Sequence, residues 1–171
     1  MTSPQKAKGG SFEREIAQFL SNLYGESFIR APGSGAYVGG SNKSRKQVLH
    51  EGQVRSFKGD IVPGQNFGKL NAECKSYKDF AFHQLFHGTV KQLDSWIEQC
   101  MEVADEGDFN IIFMKFNRKG TFIAFQNRHQ VEFNLGTYIN YNSGKHGTWV
   151  FMALDLFFQN NQEQFRQICK S

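Results

Sequence analysis

Gly59-Asp60-Ile61-Val62 and Leu70-Asn71-Ala72-Glu73-Cys74-Lys75, joined through Pro63-Gly64 and Phe67-Gly68, are two short apolar runs bounded by turn residues. Both read as strands. Paired as a hairpin, they bring Asp60, Glu73 and Lys75 to one end of a sheet. Glu73 and Lys75 are two residues apart, so on a strand they share a face while Cys74 takes the other. Two carboxylates suit a hard divalent cation such as Mg²⁺, and a lysine beside them orients a water or offsets charge on a phosphate. That is the chemistry of phosphodiester hydrolysis.

The flanking sequence predicts helices around these strands. Phe12, Ile16, Phe19, Leu20 and Leu23 recur at helical spacing, with Ser11 as N-cap and Gly25 as the stop. Residues 1–10 read as a flexible arm. Ser27–Arg30 is a short strand, followed by the turn Ala31-Pro32-Gly33-Ser34-Gly35. From Thr89 to about Ala104 a second helix shows Val90, Leu93, Trp96, Ile97, Cys100 and Val103 on one face. Asn110–Phe116 and Thr121–Gln126 around Asn117-Arg118-Lys119-Gly120 read as a hairpin. Val131–Leu135, Tyr138–Tyr141 and Thr148–Ala153 are further strand segments, and Asp155 caps a last helix with Leu156, Phe157, Phe165 and Ile168. The order describes one α/β domain over residues 1–171, with a mixed central sheet, helices against it and a C-terminal β/α extension from about 129.

Residues 36–58 lack periodicity and carry Lys43, Arg45, Lys46, Arg55 and Lys58 against the lone acid Glu51. This basic insertion loop is either a solvated excursion or a contact for a phosphate backbone. The formal net charge of +4 and pI near 9.0 are compatible with nucleic acid without demanding it. The 18 Phe read as an aromatic core rather than a base-stacking surface. Three widely separated cysteines without a C-x-x-C spacing argue against structural zinc and suit a reducing cytoplasm. His83 and His87, with no glutamate of an H-E-x-x-H motif between them, read as surface or DNA-facing rather than as ligands. No run approaches a membrane span, and no secretory leader is legible.

An ordered set of motifs narrows this further. Lys8-Gly9, then Glu13-Arg14-Glu15, precede Arg30 and Gly33-Ser34-Gly35, then Asp60, then Glu73-Cys74-Lys75. Taken alone, Glu13 and Glu15 are explained by favourable placement near a helix N-terminus. Taken in order, the set resembles the archaeal-type Holliday junction resolvases of the PD-(D/E)xK nuclease superfamily, over roughly residues 6–126. The segment between Ser34 and Asp60 is longer than that family's, Cys74 stands where it has an apolar residue, and the region after about His129 has no counterpart in it.

The resemblance implies a restriction-endonuclease-like fold and a Mg²⁺-dependent endonuclease, with Mn²⁺ as a substitute. It implies that Glu13, Asp60, Glu73 and the Cys74 backbone carbonyl hold the metal and that Lys75 activates water. Ser34 would bind the phosphate, while Lys6, Lys8, Arg14, Arg30 and the basic loop line the DNA. The expected partner is a four-way junction, cut by a homodimer in a cytoplasm (the host's, for a phage or virus) without a small-molecule cofactor or membrane. Other superfamily nucleases act on flaps, nicks or duplex DNA. A DNA-binding protein that has lost activity is disfavoured because all the acids and the lysine are present. An RNA-binding module lacks any RNP or KH signature.

Overall fold

The computed structural model describes residues 4–32, 58–128 and 131–170, with side chains from residue 8 onward. In chain order the described elements are helix α1 (Pro4–Tyr24), strands β1 (Ile29–Arg30), β2 (Ile61–Val62) and β3 (Leu70–Tyr77), and a 3-10 turn at Phe82–Phe86. These are followed by α2 (Lys91–Glu102), β4 (Phe109–Phe116), β5 (Gly120–Gln126), β6 (Ile139–Asn142), β7 (Thr148–Ala153), α3 (Leu154–Asn160) and α4 (Gln162–Cys169). Five strands form a mixed sheet in the order β3-β4-β5-β7-β6, parallel between β3 and β4 and antiparallel elsewhere. Helix α2 is the crossover that a parallel β3–β4 pair requires. This sheet with helices on both faces is the α/β, restriction-endonuclease-like arrangement that the sequence predicts.

Each sheet face has its own core. Ala72, Cys74, Ile111, Phe113, Ile123, Phe125 and Val150 pack with Phe12, Ile16 and Leu20 of α1 and with Phe157, Phe158 and Phe165 of α3 and α4. On the other face, Ile112, Met114, Phe116, Trp149 and Phe151 meet Leu93, Trp96, Ile97 and Cys100 of α2 and Phe80. The abundant phenylalanine is therefore mostly core, in edge-to-face pairs such as Phe19–Phe158 at 5.2 Å and stacked pairs such as Phe80–Phe116 at 4.9 Å. No described helix is long and apolar enough to cross a membrane.

The first helix differs from its expected start. It begins at Pro4, whose fixed φ suits a first turn, and runs through Gly9-Gly10 and past Ser11, which is not a cap. Gly10 is buried, and a Cβ there would lie 3.4 Å from an Arg30 guanidinium nitrogen. Gly10 thus packs beneath the Arg30 side chain at ordinary van der Waals distance.

The two short runs do not form a hairpin ladder. Strand β2 pairs antiparallel with β1, Arg30 opposite Ile61, as a separate ribbon. Asp60 bridges ribbon and sheet through its backbone. Its carbonyl accepts from Ala31 N at 2.8 Å, and its N–H donates to Ala72 O at 2.8 Å.

Two expectations fail near the C-terminal elements. Val131–Leu135 is irregular, although Phe133 and Leu135 do pack on the core as an alternating strand would. Its neighbour is a side chain. Asn134 N–H donates to Asn161 Oδ1 at 2.6 Å, and Asn161 Nδ2 donates to Asn134 O at 2.8 Å, replacing ladder bonds. The same buried asparagine separates α3 from α4, so the single last helix is two, and Asp155 lies in the first turn of α3 rather than at its cap, Ala153.

Candidate active site

Asp60, Glu73, Lys75, Glu13 and Arg30 meet at the outer edge of β3. Gly59 positions the first of them. It adopts a φ of +68°, and a Cβ there would stand 2.7 Å from Ala72 O, so both conformation and space require glycine. The chain thereby lies against β3, and Asp60 Oδ2 accepts a 2.7 Å hydrogen bond from Cys74 N. A charge-assisted bond of this kind contributes about 1.5–3 kcal/mol.

Glu73 faces the α2 side of the sheet and Cys74 the α1 side, as strand alternation requires. Glu73 is 1 % exposed, and neither carboxylate oxygen has a hydrogen-bond partner among the described residues. Lys75 Nζ is 3.9 Å from Glu73 Oε2, close enough to attract and too far to hydrogen-bond. Instead Lys75 donates to Gln99 Oε1 of α2. Burial pushes the Glu73 carboxyl well above the usual range; the charge of Asp60 adds to this, Lys75 pulls against it, and the closeness of the Asp60 side chain and then the charge of Glu13 add smaller pushes. Burial also raises the Cys74 thiol, which is no nucleophile here.

Glu13 reaches the cluster from α1. It is nearly buried and paired with the Arg30 guanidinium. Because α1 begins at Pro4, Glu13 is more than two turns inside the helix. The helix-dipole account of its position therefore fails, since that effect is confined to the first turn. What holds it in place is the pairing with Arg30.

Among the described residues, no three His, Cys, Asp or Glu side chains are preassembled around one point. Glu13 is turned to Arg30 and Asp60 to Cys74 N. Even so, the donor set fits a hard cation. It offers oxygen ligands only, and the two orphaned, buried Glu73 oxygens are a cost that a divalent ion would remove. On a strand, the N–H and C=O of one residue face the same edge, so the Cys74 carbonyl faces the edge that Asp60 occupies.

Among the expected DNA contacts, Lys8 and Arg14 are exposed on α1. Lys58 requires a correction. It is 6 % exposed, with Nζ 2.6 Å from Asp108 Oδ2 and 3.4 Å from Asp105 Oδ2, so its charge is spent internally and is closed to a phosphate. Ser34, Lys43, Arg45, Lys46 and Arg55, with the Gly33–Gly35 turn, lie outside the described residues, as does the Lys6 side chain. His83 and His87 are exposed on a 3-10 turn, where residues three apart align and residues four apart do not. Sequence reasoning missed two residues. Gly59 was legible as a glycine directly before the acid. Gln99 borders the apolar face of α2 and carries no signal of its own.

A family model described as phage putative PDDEXK endonuclease matches residues 4–167. The chain belongs to that family. It is accordingly a nuclease of the PD-(D/E)xK superfamily, and the match includes β6, β7, α3 and most of α4, beyond the span of the resolvase resemblance. Comparison with curated proteins and with solved structures gave no match.

Proposed function

We propose that this nuclease is a single-domain, metal-dependent DNA endonuclease that resolves four-way junctions by paired nicks. The observation that carries the metal-dependent chemistry is the buried Glu73 carboxylate, without a hydrogen bond among the described residues and set beside Asp60 and Lys75. The ordered motifs from Lys8 to Lys75 carry the choice of a branched substrate.

Glu13, Asp60, Glu73 and the Cys74 carbonyl would hold the metal, Mg²⁺ with Mn²⁺ as a substitute. When bound there, such an ion polarises a phosphoryl oxygen, lowers the pKa of a water and offsets charge on the leaving 3′ oxygen. The residues do the rest. Lys75 presents its ammonium beside Glu73, positioning the attacking water and neutralising charge that grows on the phosphate. Arg30 holds Glu13 and, being partly exposed, offers its outer edge to the DNA backbone. Ser34 would hydrogen-bond the phosphate, and Lys6, Lys8, Arg14 and the cations Lys43, Arg45, Lys46 and Arg55 would track the strands. Products carry 5′-phosphate and 3′-hydroxyl ends. A homodimer sets two such sites on strands of like polarity. The phage character of the family fits action in a host cytoplasm.

The test is cleavage of fixed and mobile four-way junctions, flaps, nicked DNA and linear duplex, with Mg²⁺, Mn²⁺ or chelator. Symmetric paired nicks at the junction are the expected result. Equal cutting of every substrate without that symmetry would retire the junction reading and leave a flap or duplex nuclease.

Gln99 enters as a positioning residue for Lys75. Gln99→Ala is expected to lower the single-turnover rate about tenfold while DNA affinity and melting temperature hold, matching roughly 1.4 kcal/mol for one charged hydrogen bond. The discriminating measurement is a double-mutant cycle with Lys75→Gln, in which the Gln99 effect disappears. Full additivity would show that Gln99 acts elsewhere.

A further inference from the structure

Beyond Lys75, strand β3 ends at Tyr77 and the chain enters a basin of about 560 Å³ lined by Lys78, Asp79, Asn117, Arg118 and Lys119. Three cationic side chains face one carboxylate. Lys119 Nζ sits 2.9 Å from Asp79 Oδ1, an exposed pair. Neither Lys78 nor Arg118 is spent on an ion pair among the described residues. Arg118 sits at the tip of the β4–β5 turn with a φ of 61°, a left-handed conformation that asparagine or glycine adopts more readily. A cationic side chain is thus carried where the backbone favours another residue, which points to use rather than to folding.

The basin lies just past the end of β3, the strand that carries Glu73 and Lys75. From Glu73 to Lys78 the strand advances on the order of 16 Å, about five base-pair rises along one DNA strand.

We infer that this basin is a phosphate-binding subsite for the DNA backbone, about five nucleotides from the scissile bond, with Lys78 and Arg118 as its contacts and Asp79 holding Lys119 in reserve. The inference rests on the DNA-nuclease reading above. An exposed ion pair is worth little to stability, so Asp79 is cheap to remove, and its loss frees a third cation.

The experiment measures anisotropy of a labelled four-way DNA junction with chelator present, across a salt series, alongside its single-turnover cleavage with metal. The double variant K78A/R118A is expected to bind about tenfold more weakly, with the slope of log affinity against log salt reduced by about two. Its cleavage rate at saturating enzyme should stay within about twofold of wild type. Asp79→Asn should bind about two- to threefold more tightly, a gain that misfolding cannot produce. Shortening the duplex arm below about five base pairs should erase the difference between wild type and K78A/R118A. A wild type that cuts DNA alongside a double variant of equal affinity and slope would overturn the subsite alone. So would a defect that is independent of arm length, the mark of a free-phosphate site, or one confined to RNA. A wild type that neither binds nor cuts DNA would overturn both this subsite and the nuclease reading.

Discussion

Replacing Glu73 by Gln is expected to abolish cleavage and, in metal-free protein, to raise the melting temperature. The two effects have one origin. A carboxylate that is 1 % exposed, with neither oxygen hydrogen-bonded among the described residues and the Lys75 ammonium 3.9 Å away, is poorly placed unless a metal ion meets it. An unsatisfied buried group of this kind costs about 1–3 kcal/mol, which for a chain of this length corresponds to a rise of about 5 °C on neutralisation. The catalytic loss should be at least about a thousandfold, since a metal supplies several kcal/mol and each 1.36 kcal/mol is tenfold. Scanning calorimetry with chelator and with Mn²⁺ checks both: metal should stabilise wild type and leave Glu73→Gln unmoved. A variant that is inactive and less stable would mean Glu73 is structural.

The same residue sets a pH dependence for metal-free protein. Its folded pKa lies above the ordinary value of 4.5, chiefly through burial and then through Asp60. The folded state therefore keeps a proton that the unfolded chain releases. The associated stability is complete below pH 4.5 and is lost as pH rises through the raised folded value. Urea melts of wild type should show this decline from the ordinary carboxylate range upward, and those of Glu73→Gln should show less of it.

Lys58→Ala is expected to destabilise the protein by about 3–5 kcal/mol, lowering the melting temperature by about 10 °C. Removing the lysine strands Asp108, which is also buried, with the Asp105 N–H at 2.8 Å as the one remaining donor to its carboxylate among the described residues. The longer pair to the half-exposed Asp105 adds little. Thermal melts measure the first effect. DNA titrations at low temperature should find an unchanged salt slope, where loss of a phosphate contact would lower it by about one.

Lys58 also marks where sequence reading stops being sufficient. A lysine at the end of a basic run looks solvated, and only the fold brings Asp105 and Asp108 against it. By contrast, Val90, Leu93, Trp96, Ile97, Cys100 and Val103 declare α2 through local periodicity, and every one is buried. The β4–β5 hairpin is legible for the same reason, because its turn chemistry is local. The start of α2 is not. Val90 N–H donates at 2.9 Å to the Tyr141 hydroxyl, which in turn donates to Asp94 at 2.6 Å, a cap supplied from β6. Burial and then Asp94 push that tyrosine up to about 12.

The candidate site divides along the same line. Glu73 and Lys75 share a face by strand arithmetic, and Asp60 follows from its run. The flexible-arm reading of residues 1–10 fails because two adjacent glycines lower local helix propensity, yet the chain is helical from Pro4 through both of them. Val131–Leu135 has a true two-residue alternation, yet its partner is an asparagine side chain that no pattern announces.

The strand bearing Glu73 is tied at its start to the far end of the fold, where Lys69 N–H donates to the Cys169 carbonyl at 3.0 Å. Ribosomes deliver that carbonyl roughly a hundred residues after Glu73, on the order of ten seconds later at ordinary elongation speeds. Through that interval, the nascent chain lacks β7, which pairs with β5, and the helices that cover the α1 face of the sheet. The strand that carries Glu73 and Lys75 thus gains this tie, and its α1-side core is completed, only once the C-terminal helices have been made.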